Sequence, residues 1–222
     1  MSFEGVHLYL LRHGEVESHR GDVPITLAAV EQAHDVGAEL AAIEEGPFLV
    51  LTGDTRRALQ TAENVAAGLR VAGASVEGPT VAHALRNPDL YLAGVRVNMV
   101  SSADALADQV PSLAAEEVAG LDFYPGFFAE PDRIGWWLRH ESPPGEDASA
   151  VADRVESFAR SLIDRHSARR PVVVAVTHSP LLRAAALAAL GEDIGEPGWI
   201  SGLMLEVDDS GTITTSLFPG VS

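Results

Sequence analysis

Residues 171–178 read PVVVAVTH, an almost wholly apolar and mostly β-branched run that ends in Thr177 and His178. Such a run is typical of a parallel strand that is covered on both faces. It passes directly into a helical pattern of apolar residues at 181–190, and the apolar run at 6–11 likewise ends in polar residues. The stretch therefore indicates a parallel sheet with helices packed against it.

The same alternation of strands and helices continues along the rest of the chain. Residues 48–51 predict another strand, Thr26 and Thr55 are each placed to begin a helix, and a third helix is expected from about 147 to 165. The chain closes with a predicted hairpin around 208–211. The alternation predicts a three-layer α/β/α sandwich with a mostly parallel central sheet, formed by all 222 residues as a single domain.

The stretch from about 88 to 144 breaks this alternation. It is rich in Pro, Gly and aromatic residues and has no sustained helical or strand period. We interpret it as an insertion over the active-site edge of the domain. Two interpretations stay open at this point, which are a lid over the substrate and a packed satellite subdomain.

The composition excludes several classes of chemistry. The chain has no Cys and no Lys, and all 15 of its basic residues are Arg. This removes disulfides, iron–sulfur clusters, Cys nucleophiles, Schiff-base Lys and the Lys of a Walker-type phosphate loop. The formal charge of −17 argues against nucleic acids and anionic membranes as partners. Because no apolar run reaches the roughly 18 residues of a membrane span, and no basic region precedes one at the N-terminus, we expect a cytoplasmic protein.

Polar side chains follow three of the predicted strands, in the segments 12–15 (RHGE), 54–57 (DTRR) and 177–179 (THS). Because ligands bind outside the carboxyl ends of the strands in an open parallel sheet, we expect two His and two or three Arg to converge on one pocket. An imidazole nitrogen can attack phosphorus while guanidinium groups neutralise the phosphoryl oxygens. The set therefore predicts phosphoryl transfer through a His nucleophile.

Five short motifs occur in a fixed order along the chain. They are LLRHGE at 10–15, PIT at 24–26 followed by Gln32 and Ala33, RALQTA at 57–62, PGE at 144–146 followed by Arg154, and VVAVTH at 173–178. In sequence and order they resemble the motifs of the histidine phosphatase superfamily, including its Arg-His-Gly signature. The resemblance covers roughly residues 6–190 and implies the phosphoglycerate-mutase-like fold.

The resemblance implies a role for each residue that matches a motif. His13 would be the nucleophile that becomes phosphorylated, and Arg12 and Arg57 would bind the phosphoryl group. His178 would hydrogen-bond that group and stabilise the transferring state. No cluster of Asp, His or Cys ligands is visible in the sequence, so we expect no metal, and we expect no cofactor. The expected substrate is a small phosphorylated metabolite, and whether the chain forms a homodimer is left open.

Two departures from the family pattern matter for the chemistry. His19 stands where members usually have an Asn that contacts phosphate, and Asn87 stands where many members have a Glu that donates a proton. We retain His19 and Glu15 as candidate phosphate-binding residues. For the proton donor we choose Asp89, with Glu15 as the second candidate. The alternatives are that Asp89 is a solvated loop residue and that Glu15 only orders its loop.

Three other functions are weighed against a phosphatase. A Ser hydrolase could place its nucleophile at Ser179, but the flanking glycines of that motif are missing and Pro180 follows. A member of the same fold could bind phosphate without catalysis. A phosphoglycerate-type mutase would need a more basic pocket than the insertion offers, with only Arg96, Arg133 and Arg139. We therefore expect hydrolysis of a small phosphomonoester.

Overall fold

The computed structural model describes residues 5–18, 21–164 and 170–220. Within them lie eight strands: β1 (Gly5–Arg12), β2 (Phe48–Thr52), β3 (Val76–Val81), β4 (Leu90–Leu92), β5 (Val95–Val97), β6 (Val172–Thr177), β7 (Gly202–Asp208) and β8 (Ile213–Phe218). Six of them form one sheet in the order β3-β2-β6-β1-β7-β8, and β4 and β5 form a separate hairpin. Strands β3, β2, β6 and β1 are parallel, whereas β7 is antiparallel to β1 and to β8. The predicted, mostly parallel sheet is confirmed.

Eight α-helices connect and cover these strands. They are α1 (Leu27–Ile43), α2 (Arg56–Val71), α3 (Ala103–Ala107), α4 (Ala115–Val118), α5 (Tyr124–Ala129), α6 (Arg133–Leu138), α7 (Ala148–Ser161) and α8 (Ser179–Leu190), with 3₁₀ turns at His83–Leu85 and Leu162–Asp164. Helices α1, α2 and α7 are capped by the side chains of Thr26, Thr55 and Asp147. Each of these accepts a hydrogen bond from the backbone N–H three residues later in the chain. The predicted helix starts are therefore confirmed. The helix predicted from about 147 to 165 is α7, which ends at Ser161. Arg165 lies outside the described residues.

The two faces of the sheet carry different hydrophobic clusters. Along β1, Leu8 and Leu10 belong to the cluster that α7 and α8 cover, whereas Tyr9 and Leu11 belong to the cluster under α1 and α2. Successive strand residues point to opposite faces, so both sets must be apolar when both faces are covered. This accounts for the uninterrupted apolar runs and confirms the three-layer sandwich.

Helices α1 and α2 approach each other unusually closely. A Cβ added to Gly37 would lie 2.2 Å from the carbonyl oxygen of Val65, and one added to Gly68 would lie 1.9 Å from that of His34. Only glycine permits the two backbones to come this near. The close approach fixes α2, whose first turn carries Arg57, against the rest of the layer.

The insertion forms a packed subdomain on the side of α8. It contains the β4–β5 hairpin and the four short helices α3–α6. Phe127 of α5 stacks on Phe123, and Trp136 of α6 meets Phe123 edge to face. Trp137 is fully buried, and its Nε1–H donates to the carbonyl oxygen of Glu146. Arg183 of α8 forms a bidentate ion pair with Asp132, the N-cap of α6. The Arg183 side chain is 1% exposed. The insertion is thus fastened to the sandwich by a buried guanidinium.

Across the described ranges, we find no helix of the length and apolarity that a membrane crossing requires.

Candidate active site

A cavity of about 1180 Å³ lies between the carboxyl ends of the parallel strands and the insertion. The strand ends supply the two His and Arg12, the first turn of α2 supplies Arg57, and the insertion supplies the opposite wall. The polar residues that line the cavity include Arg12, His13, Asp22, Asp54, Thr55, Arg57, Asn87, Arg96, Asp132, Arg133, His178, Ser179 and Glu196. The prediction that ligands would meet polar groups at this edge agrees with the position of the cavity.

His13 is held in one tautomer by contacts of its two ring nitrogens. Its Nδ1 is 2.8 Å from the carbonyl oxygen of Gly14, which can only accept, so Nδ1 carries the proton. The guanidinium Nε–H of Arg57 donates to Nε2 at 3.2 Å, so Nε2 carries the lone pair. The backbone N–H of His13 donates to Thr177 at 3.0 Å, which ties β1 to β6 at this point. The Nε2 lone pair therefore faces the Arg57 guanidinium.

Arg57 reaches the site from the first turn of α2. Burial lowers the pKa of its guanidinium, while the charges of Asp22 and Asp54 raise it. An Arg side chain nevertheless stays protonated in proteins, so this group is a fixed positive charge beside His13. The preceding Arg56 is exposed.

Arg12 is enclosed by a short segment that precedes β7. Its guanidinium carbon lies 3.6 Å from the centre of the Trp199 ring, Nη1 donates to the Pro197 carbonyl at 2.6 Å, and Nη2 lies 2.6 Å from Oε1 of Glu196. Burial lowers the pKa of Arg12, and the Glu196 charge raises it. We refer to residues 196–199 as the Arg12 clamp.

The backbone next to the Arg12 clamp is strained. Ile200 is fully buried and has a φ of 53°, a left-handed conformation that is a genuine outlier for a β-branched residue. Its neighbour Ser201 accepts a hydrogen bond from the backbone N–H of Arg12 at 2.8 Å. Strain of this kind costs on the order of 1–3 kcal/mol and is concentrated at functional sites.

None of the sequence motifs pointed to the Arg12 clamp. The signal that could have located it is topological. Because β7 runs antiparallel to β1, the residues just before β7 lie at the same edge as the carboxyl end of β1. A Pro-Gly-Trp loop at that place would then face the predicted pocket.

His178 lies at the N-cap position of α8, immediately after β6, and is 2% exposed. Its Nε2 is 3.5 Å from Oγ1 of Thr55, and its ring centre is 5.3 Å from that of His13. A Cβ on Gly53 would stand 3.4 Å from this Nε2 and 2.8 Å from the carbonyl oxygen of Leu85. The absence of a side chain at Gly53 therefore leaves room for the imidazole.

The structure brings four of the candidates together, namely Arg12, His13, Arg57 and His178, and all four line the cavity. Glu15 is not among the lining residues. It is exposed, and its Oε2 accepts from Oγ1 of Thr26 at 3.2 Å at the start of α1. This position argues against phosphate binding by Glu15, and its carboxylate instead contacts the residue that caps α1. His19 lies outside the described residues.

Asp89 is also placed differently from the prediction. Both of its carboxylate oxygens accept hydrogen bonds from Arg86, and Arg96 pairs with it as well. The hydrogen bonds of Arg86 lower the pKa of Asp89 to about 2, and burial opposes this only in part. Asp89 does not line the cavity, whereas Asn87 does. A carboxylate held ionised by two guanidinium groups is a poor proton donor, which argues against the role we expected for Asp89.

Ser179 donates its hydroxyl proton to Oε2 of Glu196 at 2.6 Å. In a Ser hydrolase this hydroxyl would instead be hydrogen-bonded to a His base. The geometry therefore does not favour Ser179 as a nucleophile.

The chain matches one protein family. The model of the histidine phosphatase superfamily (branch 1) matches residues 8–78 and 119–205. The unmatched stretch, 79–118, overlaps the first part of the insertion. None of the curated proteins compared with the chain matches it.

Several solved structures resemble the fold. A mycobacterial glucosyl-3-phosphoglycerate phosphatase is 20% identical, with 97% of this chain and 99% of that one covered at a TM-score of 0.61. A phosphoglycerate mutase from Bacillus anthracis is 17% identical, with 98% and 94% covered at 0.57. A phosphoserine phosphatase from Entamoeba histolytica is 15% identical, with 96% of each chain covered at 0.54. At these identities the likeness establishes a phosphoglycerate-mutase-like fold.

Proposed function

The chain belongs to the histidine phosphatase superfamily (branch 1), and from that premise we propose that it hydrolyses a small phosphomonoester through a phosphohistidine at His13. The observation that carries the proposal is the fixed tautomer of His13, whose Nε2 lone pair is held toward the Arg57 guanidinium. A nucleophile whose lone pair faces a fixed cation is arranged to meet an anionic phosphoryl group.

In the first half of the proposed reaction, Nε2 of His13 attacks phosphorus. The N–H groups of Arg57 turn from Nε2 to the phosphoryl oxygens, and Arg12 and His178 hydrogen-bond the same group from the other strand ends. These donors neutralise the charge that spreads over the equatorial oxygens. The ester P–O bond breaks, and its electron pair leaves with the alcohol oxygen, which takes up a proton.

In the second half, water attacks the phosphohistidine. The P–N bond breaks, its electron pair returns to Nε2 of His13, and inorganic phosphate leaves. The charges needed in both halves come from Arg and His side chains.

Hydrolysis is supported over a mutase reaction by the wall that the insertion provides. A mutase must hold a second anionic group of its substrate so that the phosphoryl group can return to another hydroxyl. Of the basic residues in the insertion, Arg96 and Arg133 line the cavity, but Arg96 is already paired with Asp89. The names of two of the three structural neighbours, the phosphatases acting on glucosyl-3-phosphoglycerate and phosphoserine, also support hydrolysis.

The proposal is tested with p-nitrophenyl phosphate and with trapping of the phosphoenzyme. We expect the wild type to hydrolyse this substrate and to carry acid-labile, alkali-stable label on His13 after a rapid quench. His13→Ala should lose both activity and label. The matched control is His34→Ala, which changes an accessible His on α1, away from the cavity. Activity retained by His13→Ala, or label on another residue, would refute the proposal.

Two further outcomes separate the alternatives. Tight binding of phosphate without turnover of any ester in a panel of phosphorylated metabolites would identify a binding protein instead. Efficient interconversion of 3-phosphoglycerate and 2-phosphoglycerate in the presence of 2,3-bisphosphoglycerate would identify a mutase.

A further inference from the structure

The leaving alcohol of a phosphomonoester needs a proton. An alkoxide is a strongly basic leaving group, and an acid within hydrogen-bond reach typically contributes about 10²–10⁴-fold to the rate. Asn87 lines the cavity, but an amide is not a useful acid. Asp89 is held ionised by Arg86 and Arg96 outside the cavity lining. The proton must therefore come from another group.

The cavity offers several other carboxyl groups, and their contacts distinguish them. Asp132 is held by Arg183, whose hydrogen bonds lower the pKa of Asp132 to about 2. Asp22 accepts a hydrogen bond from the backbone N–H of Arg56. Asp54 acts on Arg57 through its charge. Other lining carboxylates are Glu17, Asp108 and Glu196.

Glu196 is bound directly to a residue of the phosphoryl site. Its Oε1 lies 2.6 Å from Nη2 of Arg12, and its Oε2 accepts from Ser179, the neighbour of His178, at 2.6 Å. The next cation, Nη1 of Arg183, is 3.8 Å from Oε2. The side chain is 49% exposed and lines the cavity, so it is accessible to a bound ester.

We propose that Glu196 is the proton donor of the reaction, an inference that rests on the proposed phosphatase function. A dianionic phosphoryl group on Arg12 competes with the carboxylate for the same guanidinium. It also brings two like charges together, and one proton held between them removes this repulsion. Substrate binding thereby places a proton at Glu196, beside the oxygen of the leaving alcohol.

The proton balance closes over the two halves of the reaction. As the ester P–O bond breaks, Glu196 passes its proton to the alcohol oxygen. As water attacks the phosphohistidine, Glu196 takes a proton from that water, and the P–N bond to His13 breaks. The carboxyl group is then again protonated beside the bound phosphate and can begin another cycle when phosphate is exchanged for ester.

The test compares two substrates of similar shape that differ in their need for a proton. Nitrophenolate leaves p-nitrophenyl phosphate as a stable anion, whereas the phenol of phenyl phosphate is as weak an acid as a Tyr side chain. We expect Glu196→Gln to lower kcat/KM by about 10- to 100-fold with phenyl phosphate and by less than about 5-fold with p-nitrophenyl phosphate. Asp54→Asn, the matched control at another lining carboxylate, should affect both substrates by the same factor.

A pre-steady-state measurement keeps the test independent of folding. With p-nitrophenyl phosphate, Glu196→Gln should release one nitrophenolate per enzyme in a burst and then turn over slowly, because the attack of water has lost its base. Such a burst requires a folded, phosphorylated enzyme.

Three outcomes would overturn the inference. Equal losses on both substrates would show that Glu196 only positions Arg12, and no loss on either would remove it from the reaction. A leaving-group-dependent loss in Asp54→Asn alone would move the role to Asp54. Failure of the proposed function is distinguishable from all of these, because the wild type would then hydrolyse neither substrate and carry no label on His13.

Discussion

Thr61 connects the nucleophile loop to the helix that carries Arg57, and replacing it tests how the site is held. Thr61 is fully buried, its Oγ1 accepts from the backbone N–H of Gly14 at 2.9 Å, and its hydroxyl donates to the Arg57 carbonyl at 2.7 Å. Gly14 follows His13, and its carbonyl fixes the His13 tautomer. In Thr61→Val a methyl group replaces the hydroxyl with little change in shape.

The expected cost follows from the group that is left behind. The Gly14 N–H is buried and would have no acceptor, which costs about 1–3 kcal/mol. For a domain of this size, about 2 kcal/mol lowers Tm by roughly 4–8 °C. We also expect kcat to fall about tenfold, equivalent to about 1.4 kcal/mol of lost alignment, because the Gly14 peptide is no longer held in register with His13.

Thr61→Ser is the matched variant. It keeps the hydroxyl and removes a buried methyl group, which costs roughly 1 kcal/mol of transfer free energy. We expect it to lose some thermal stability but to keep its kcat. The assays are thermal unfolding by circular dichroism and hydrolysis of p-nitrophenyl phosphate. If Thr61→Val retained wild-type kcat, or Thr61→Ser lost as much kcat as Thr61→Val, the hydroxyl would not be what holds the loop.

Three further predictions concern stability and metal dependence. The folded pKa of Asp89 is about 2, below its unfolded value, so its ion pairs with Arg86 stabilise the fold above about pH 4, and this stabilisation is lost as the pH falls toward 2. The unfolding free energy of Asp89→Asn should therefore depend less steeply on pH in this window than that of the wild type, and an equally steep dependence would contradict the prediction. Gly53→Ala should cost about 1–3 kcal/mol and lower activity, because its Cβ would press on the Leu85 carbonyl at 2.8 Å, whereas Gly120→Ala, where the nearest atom is 3.4 Å away, should be mild in both assays. Incubation with a chelator should leave hydrolysis of p-nitrophenyl phosphate unchanged, and a loss reversed by an added divalent metal would argue against charge neutralisation by Arg and His alone.

The central sheet and four site residues could be predicted because their signals are local. The apolar runs that end in Arg12-His13 and Thr177-His178 identify strands buried on both faces and, at the same time, the polar residues at their carboxyl ends. Strand β3 gave no such signal. It lies at the edge of the sheet, is largely exposed and contains Gly78 and Pro79, which are uncommon within strands.

The environment of the candidate proton donors could not be predicted, because it depends on pairings between distant or folded-back segments. Asp89 meets Arg96 only because the β4–β5 hairpin turns the chain back on itself. Glu196 meets Arg12 only because β7 returns beside β1, at a separation of 184 residues. In both cases the sequence shows the charges but not the register that brings them into contact.

The way in which the insertion is fastened to the sandwich bears on how the chain can diverge over evolution. The residues proposed to make and break bonds to phosphorus all lie outside it, whereas the insertion supplies the wall that an alcohol group would face. Its attachment includes a buried fork between Arg183 and Asp132 and a backbone bridge from Leu90 to Gly145. Mutations between these fastenings can remodel the wall without moving the nucleophile, so the preference for a particular alcohol can drift while the phosphoryl chemistry is inherited unchanged. A chimera that keeps both attachments and exchanges the segment between them would change the preferred alcohol and keep the phosphoryl chemistry.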